Sequence, residues 1–187
     1  MKFPEKLTLL FVDGYNIIGA WPELAHVRDA EGLEPARDQL IEVLTNYTAY
    51  QGWQTRVVFD AYAQRQPGLS ETVTDSLLIH YTDFGQTADT CIERWCAQLR
   101  NRIRFTNQRL IVATSDQDQK NTVTGYGAEW MSARRLALEV DGTTRQGQKH
   151  HQTKGFQRKS KRLSNILKPD VQDRLRLLRA QLEGQSQ

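Results

Sequence analysis

The chain has 187 residues, 39% hydrophobic and 25% charged, a balance that suits one compact domain with some appended structure. No apolar run approaches the roughly 20 residues needed to cross a bilayer, and Met1-Lys2-Phe3-Pro4-Glu5-Lys6 lacks the apolar stretch of a secretory signal, so no membrane partner and a cytoplasmic location are expected. The formal charge of +3 hides an asymmetry: 8 of the 25 Lys and Arg, and none of the 22 Asp and Glu, fall between Gly142 and Pro169, which leaves the rest at −5.

In chain order, Leu7-Thr8-Leu9-Leu10-Phe11-Val12 is a nearly continuous apolar run that ends at Asp13-Gly14. Such a run suits a strand buried on both faces, as in a parallel sheet. Ala36, Leu40, Val43, Leu44 and Tyr47 recur at helical spacing and predict a helix from about Pro35 to Tyr50, stopped by Gly52. Thr55-Arg56-Val57-Val58-Phe59 is a second strand and leads into Asp60. Arg65 to Thr74, with Pro67-Gly68 and several hydroxyls, has the composition of a loop. Leu77-Leu78-Ile79-His80-Tyr81 is a short third strand, and Thr87 or Asp89 starts a helix to about Asn101. Leu110-Ile111-Val112-Ala113-Thr114 is a fourth strand leading to Ser115-Asp116. A polar turn, the short piece Ala128 to Met131, and a helix N-capped by Ser132 follow.

Beyond Gly142 the apolar pattern collapses until Val171, Leu175, Leu178 and Leu182 restore helical spacing. The predicted organisation is therefore a body over residues 1–141 and a basic segment with a C-terminal helix over 142–187. Strands alternating with helices argue for an α/β sandwich with a mostly parallel sheet of four or five strands. Cys91 and Cys96 lie five apart on one predicted helix, roughly 8 Å between Cα atoms, too far for a disulfide and without companion zinc ligands. Trp21, Trp53, Trp95 and Trp130 are scattered, as core or rim residues would be.

Three of the four strands lead into an aspartate, and in parallel sheets function gathers at the carboxyl ends of strands. The candidates are Asp13, Asp60, Asp89 with Glu93, and Asp116 with Asp118. Asp89 and Glu93 are four apart, so a helix sets them on one face. Each acid alone has a plain explanation, a turn former, a cap or a solvated helix face; their joint placement at strand ends is what points to a site. Carboxylates gathered there repel one another unless something positive neutralises them. An all-oxygen set favours Mg²⁺ or Mn²⁺ over Zn²⁺, and such an ion suits phosphodiester chemistry. The Asn16 amide could hold a metal-associated water or the scissile phosphate; on the residues alone an ordinary helix start after Tyr15 explains it better.

Phe11-Val12-Asp13-Gly14-Tyr15-Asn16-Ile17-Ile18-Gly19 resembles the opening motif of YacP-like NYN-domain proteins. The resemblance continues through Val57-Val58-Phe59-Asp60-Ala61, Thr87-Ala88-Asp89-Thr90-Cys91-Ile92-Glu93 and Val112-Ala113-Thr114-Ser115-Asp116. It extends to Gly125-Tyr126-Gly127-Ala128 and Met131-Ser132-Ala133-Arg134-Arg135-Leu136, so it covers residues 7 to 141. It implies a PIN-like three-layer sandwich with acidic metal ligands, cleavage of RNA, and a link to ribosome-associated mRNA decay; the expected activity is that of a metal-dependent endoribonuclease acting on single-stranded RNA. It also implies that Asp13, Asp89 and Asp116 are the metal-binding acids, with Asn16 beside the first and Asp60 and Glu93 completing the pocket. Asp118 lies in a stretch that does not align, and no lysine or arginine beside the phosphate can be assigned from it.

Lys149, Lys154, Phe156, Arg158, Lys159, Lys161 and Arg162 form a strip suited to tracking phosphates, with Phe156 able to stack on a base. An acidic body needs such a tether to approach RNA. His150 and His151 lack a further ligand at metal spacing. A competing expectation is an RNA- or ribosome-binding module whose nuclease pocket is inactive. An aspartyl phosphatase fits less well, since Tyr15 stands where its second Asp belongs, and no GxGxxG supports a dinucleotide enzyme. The oligomeric state, the metal count and the RNA sequence preference have no signature in the chain.

Overall fold

A computed structural model of the chain describes residues 8–61, 68–106 and 108–143. The elements in order are β1 (Thr8–Asp13), α1 (Gly14–Ala20), α2 (Pro22–Glu31), α3 (Leu33–Gln51), β2 (Gln54–Phe59), β3 (Leu69–Thr74), β4 (Leu77–Tyr81), α4 (Ala88–Phe105), β5 (Arg109–Ala113), α5 (Gln117–Gly125) and β6 (Glu129–Met131). A last helix, α6, spans 133–143. The strands form one six-stranded sheet in the order β3-β4-β2-β1-β5-β6. Every pairing is parallel except that of β3 with β4.

The apolar run of β1 makes it central. Leu10 and Val12 enter a core built with α1, α2, α3 and α6, whereas Phe11 enters a second core with Cys91, Ile92 and Cys96 of α4. Burial on both faces is why its sequence has no polar alternation. Removing each such side chain from water contributes roughly 1.5–3 kcal/mol. Because β1 is flanked by β2 and β5, the chain reverses its direction of sheet growth there. The crevice at the carboxyl ends of β1 and β5 is the switch point of the sheet.

The fold class is as expected, and the elements differ in detail. Residues 69–74, expected as loop, form the antiparallel edge strand β3, which raises the strand count to six. Its residues are almost all exposed, so no buried face imposes a hydrophobic alternation. The ladder and a turn in which Thr74 Oγ1 accepts from Ser76 N–H (3.3 Å) and Leu77 N–H (3.1 Å) hold it instead. The polar stretch after Asp116, expected as a turn, is α5; only Gln119 and Val123 are buried on it, too narrow a stripe to show periodicity. Helix α4 runs four residues further than expected, to Phe105, and Thr87 is its N-cap. Two short helices, α1 and α2, fill the interval before α3.

Gly14 explains the tight passage from β1 into α1. A Cβ there would lie 2.1 Å from Phe59 Cε1, and that ring is fully buried. Only a residue without a side chain lets the helix begin directly after Asp13.

Candidate active site

Four aspartates gather at the carboxyl end of the sheet, and three of them are held by backbone N–H groups at helix starts. Asp13, the last residue of β1, is 6% exposed, and its Oδ1 accepts from Asn16 N–H at 3.1 Å, capping α1. Asp60 follows β2 and accepts from Ala88 N–H at the first position of α4. Asp116 follows β5 and caps α5, accepting from Asp118 N–H at 2.7 Å and Gln119 N–H at 3.0 Å. The unpaired N–H groups and positive end of a helix dipole favour carboxylates at these positions. The fourth, Asp89, lies in the first turn of α4, and its Oδ1 is buried with no hydrogen-bond partner.

The Asp13 and Asp89 carboxyls are direct neighbours and act on one another's titration. Burial pushes the Asp13 carboxyl up to about 7; the Asn16 N–H opposes that rise, and the Asp89 and Asp60 charges add to it. Asp89 is also raised, first by burial and then by the Asp116 and Asp60 charges, while its bond with Asp13 works the other way. Two carboxyls in contact can share a proton, but they cannot both be charged without a cation between or beside them. The contact pair and the orphaned Asp89 Oδ1 therefore fit a hard divalent cation such as Mg²⁺ or Mn²⁺. Yet no three His, Cys, Asp or Glu side chains among the described residues stand close enough to hold an ion between them. Asp13 and Asp89 form the pair; Asp60 and Asp116 act on it by charge at longer range.

The other sequence candidates fall differently. Glu93 is half-buried one turn along α4, where its charge acts on the Cys96 thiol, and it is not among the charges that move Asp13 or Asp89. The four aspartates share this end of the sheet, with Glu93 one turn further along α4. Asp118 is exposed on the first turn of α5. Asn16 does not present its amide oxygen to the pair: Oδ1 accepts from both Ser115 N–H and Ser115 Oγ–H, each at 2.7 Å. It ties α1 to the loop before Asp116 across 99 residues of sequence, a brace between two of the acids. Lys149, Lys154, Phe156, Arg158, Lys159, Lys161 and Arg162 lie outside the described residues. Cys91 and Cys96 are free thiols, and both are fully buried on α4.

Two side chains at this end escaped the sequence reading. Arg37 of α3 reaches Tyr15 Oη at 3.4 Å and sits 5.8 Å from the centre of the Tyr81 ring. Phe84 is 61% exposed in the connection from β4 to α4. That connection is anchored at Asp60: Thr82 Oγ1 accepts from Ala61 N–H (3.0 Å) and donates to Gln86 C=O (2.7 Å), while Gln86 N–H closes the turn onto Asp83 C=O (3.0 Å). Gly85 takes φ +80 beside Phe84, a conformation that favours glycine. The only sequence signal was the Phe-Gly pair itself.

The sequence matches the YacP-like NYN domain over residues 10–180, most of the chain. The chain belongs to that family. NYN domains are generally PIN-like nucleases, so the fold is of the nuclease type. The Bacillus subtilis (strain 168) protein YacP is 40% identical over 136 residues, 72% of this chain and 76% of that protein. The crystal structure of Bacillus subtilis Rae1 (YacP) superposes with a TM-score of 0.67 at 27% identity, covering 94% of this chain and 95% of the other. A point variant of the same protein gives a TM-score of 0.64 at 35% identity, over 79% and 83%. The NYN match runs through the basic segment as well as the α/β body. No helix among the described residues is long and apolar enough to cross a membrane.

Proposed function

We propose that the chain is a metal-dependent endoribonuclease that cuts single-stranded RNA, with mRNA as the substrate and the ribosome as a second partner. The observation that carries this is the Asp13–Asp89 contact at the switch point, with its orphaned Asp89 Oδ1. Asp13 and Asp89 would hold Mg²⁺ or Mn²⁺, and Asp116 and Asp60 would add negative charge around it. When bound, such an ion supplies an activated water and neutralises charge at the scissile phosphate. Asn16 keeps Asp13 and the Asp116 loop in register. Arg37 supplies the cation missing from the sequence assignment and offsets phosphate charge at the rim. Phe84 offers a flat apolar face on which a base can stack, a contact insensitive to the acids' repulsion of the backbone. Lys149, Lys154, Arg158, Lys159, Lys161 and Arg162, with Phe156, would track the strand.

The test is cleavage of a defined RNA, free and ribosome-bound, with Mg²⁺, with Mn²⁺ and with chelator. Cutting that needs the divalent ion and vanishes in Asp13→Asn is expected; cutting that persists in chelator refutes the metal mechanism. The absence of a ready three-acid cage among the described residues favours one other reading, an RNA-binding module with an inactive pocket. RNA bound with equal affinity with and without EDTA, and never cut in either state, would establish that module instead.

A further inference from the structure

On each side of the aspartates a cation lies against an aromatic ring. On one side Arg37 of α3 sits 5.8 Å from the centre of the ring of Tyr81, the last residue of β4. On the other, Lys120 Nζ of α5 lies 4.2 Å from the centre of the Trp130 ring on β6. The second pair is fastened to the acidic site at two points. Trp130 Nε1–H donates to Thr114 C=O at 2.9 Å, two residues before Asp116. Lys120 N–H donates to Asp116 C=O at 3.1 Å, which sets Lys120 one turn beyond that acid. Among the described residues Lys120 forms no ion pair; its ammonium has only the Gln117 Oε1, at 3.5 Å, and the indole.

Strand order decides how the two pairs stand. β4 and β6 each lie two strands from β1, about 10 Å to either side at the spacing of neighbouring strands. The pairs also lie on opposite faces of the sheet. Tyr81 packs against the core that α3 covers. Trp130 is in register with Val112, which enters the α4 core, and side chains of register partners share a face. A line from Arg37 to Lys120 therefore crosses the end of the sheet at β1, the strand that ends in Asp13.

This spacing selects the shape of the ligand. Cations on opposite flanks cannot share one phosphate or one mononucleotide. An extended polyanion reaches both and passes over the acids between them. An acidic peptide would satisfy the charges but bring no bases to the half-buried rings, whereas a single-stranded nucleic acid brings both.

We propose that the RNA strand crosses the carboxyl end of the sheet from the Arg37–Tyr81 pair to the Lys120–Trp130 pair, with Lys120 holding a phosphate on the far side of Asp13 and Asp89. The inference rests on the ribonuclease reading and adds to it the direction of the track and a strand-binding residue. A strand held on both flanks continues past the acids in both directions, which is the arrangement an internal cut requires.

Fluorescence anisotropy of the full chain with a labelled single-stranded RNA in EDTA, over a range of salt, tests it without cleavage. Lys120→Gln should weaken binding about tenfold, the worth of one charge-assisted hydrogen bond. Its plot of log affinity against log salt should be shallower by about 0.7, one phosphate contact on a single strand. Lys120→Arg should restore both. Arg104→Ala removes the same charge from an exposed site at the other end of the sheet and should change affinity less than twofold. Wild-type affinity and salt slope in Lys120→Gln would overturn the track while leaving the ribonuclease reading in place. An equal loss in Arg104→Ala would do the same, because it would show a general effect of charge. A wild-type chain that binds no RNA would remove both.

Discussion

The two ends of the sheet gather different charged groups, and the strands run between them. At the carboxyl end, Asp13, Asp60 and Asp116 sit on the first N–H groups of α1, α4 and α5. At the amino end, Arg102 and Arg104 occupy the last turn of α4, and Arg56 projects from the start of β2. In a parallel sheet, each helix following a strand begins at the carboxyl end, so helix dipoles present positive poles there and negative poles at the other end. Acids and bases have settled where the backbone already favours them. The acidic end, however, goes past what helix starts can stabilise. Asp13 and Asp89 touch, and one remains partly protonated near neutrality. The amino end shows no such conflict.

The largest test of that contrast is Asp13→Asn. Single-turnover RNA cleavage should fall about 1000-fold or more, as expected for losing a ligand to the activating ion. The metal-free chain should melt higher than wild type, since the neutral amide removes a buried charge conflict. A variant that melts lower would mean Asp13 is held for structure alone.

Gly14→Ala comes next. The new methyl would meet the buried Phe59 ring, and overpacking of this kind costs on the order of 3 kcal/mol. Urea unfolding measures it, and a shift near zero would show that the β1–α1 passage is looser than described.

The third effect is on pH. A carboxyl raised from 3.8 to about 7 in the folded state holds its proton more tightly there than in the unfolded chain. This carboxyl's contribution to stability is therefore fully present at low pH and is lost as pH rises through about 7. Between about pH 5 and pH 7.5 the metal-free protein should lose roughly 2 kcal/mol, and saturating Mg²⁺ should flatten that slope. A melting temperature independent of pH in EDTA would show that the acids do not share a proton.

The smallest effect is at the rim. Phe84→Ala should raise KM for RNA about tenfold with little change in kcat, because base stacking is worth about 1–3 kcal/mol. Phe84→Trp should restore it and Phe84→Leu should not. Equal behaviour of the leucine and tryptophan variants would remove stacking from the account.

Much of this was legible in the sequence because burial writes a pattern. β1, β2, β4 and β5 announce themselves as short apolar runs, three of them leading into an aspartate. β3 does not, because an exposed edge strand is held by its ladder rather than by an apolar face. α5 has too few buried positions to be periodic. The same logic applies to the site. Asp13, Asp60, Asp89 and Asp116 could be named from their places at strand and helix ends, and these four do share one end of the sheet. Glu93 followed from helical spacing, yet spacing fixes only a common face, and four residues along α4 carry it a full turn away from the pair. Asn16 was placed beside the acids, but its partner Ser115 lies 99 residues on, beyond any local pattern.

The sequence alone determined the α/β class, the central strand, the family and the acids at the strand ends. Each of these follows from local periodicity or from residues adjacent in the chain. Only the tertiary structure decided that Asp13 and Asp89 touch, that Asn16 is spent on Ser115, and that Arg37 lies against Tyr81 and Lys120 against Trp130. Those are contacts between residues far apart in the chain, and a side chain's partner there depends on strand order and helix rotation, which no local pattern encodes.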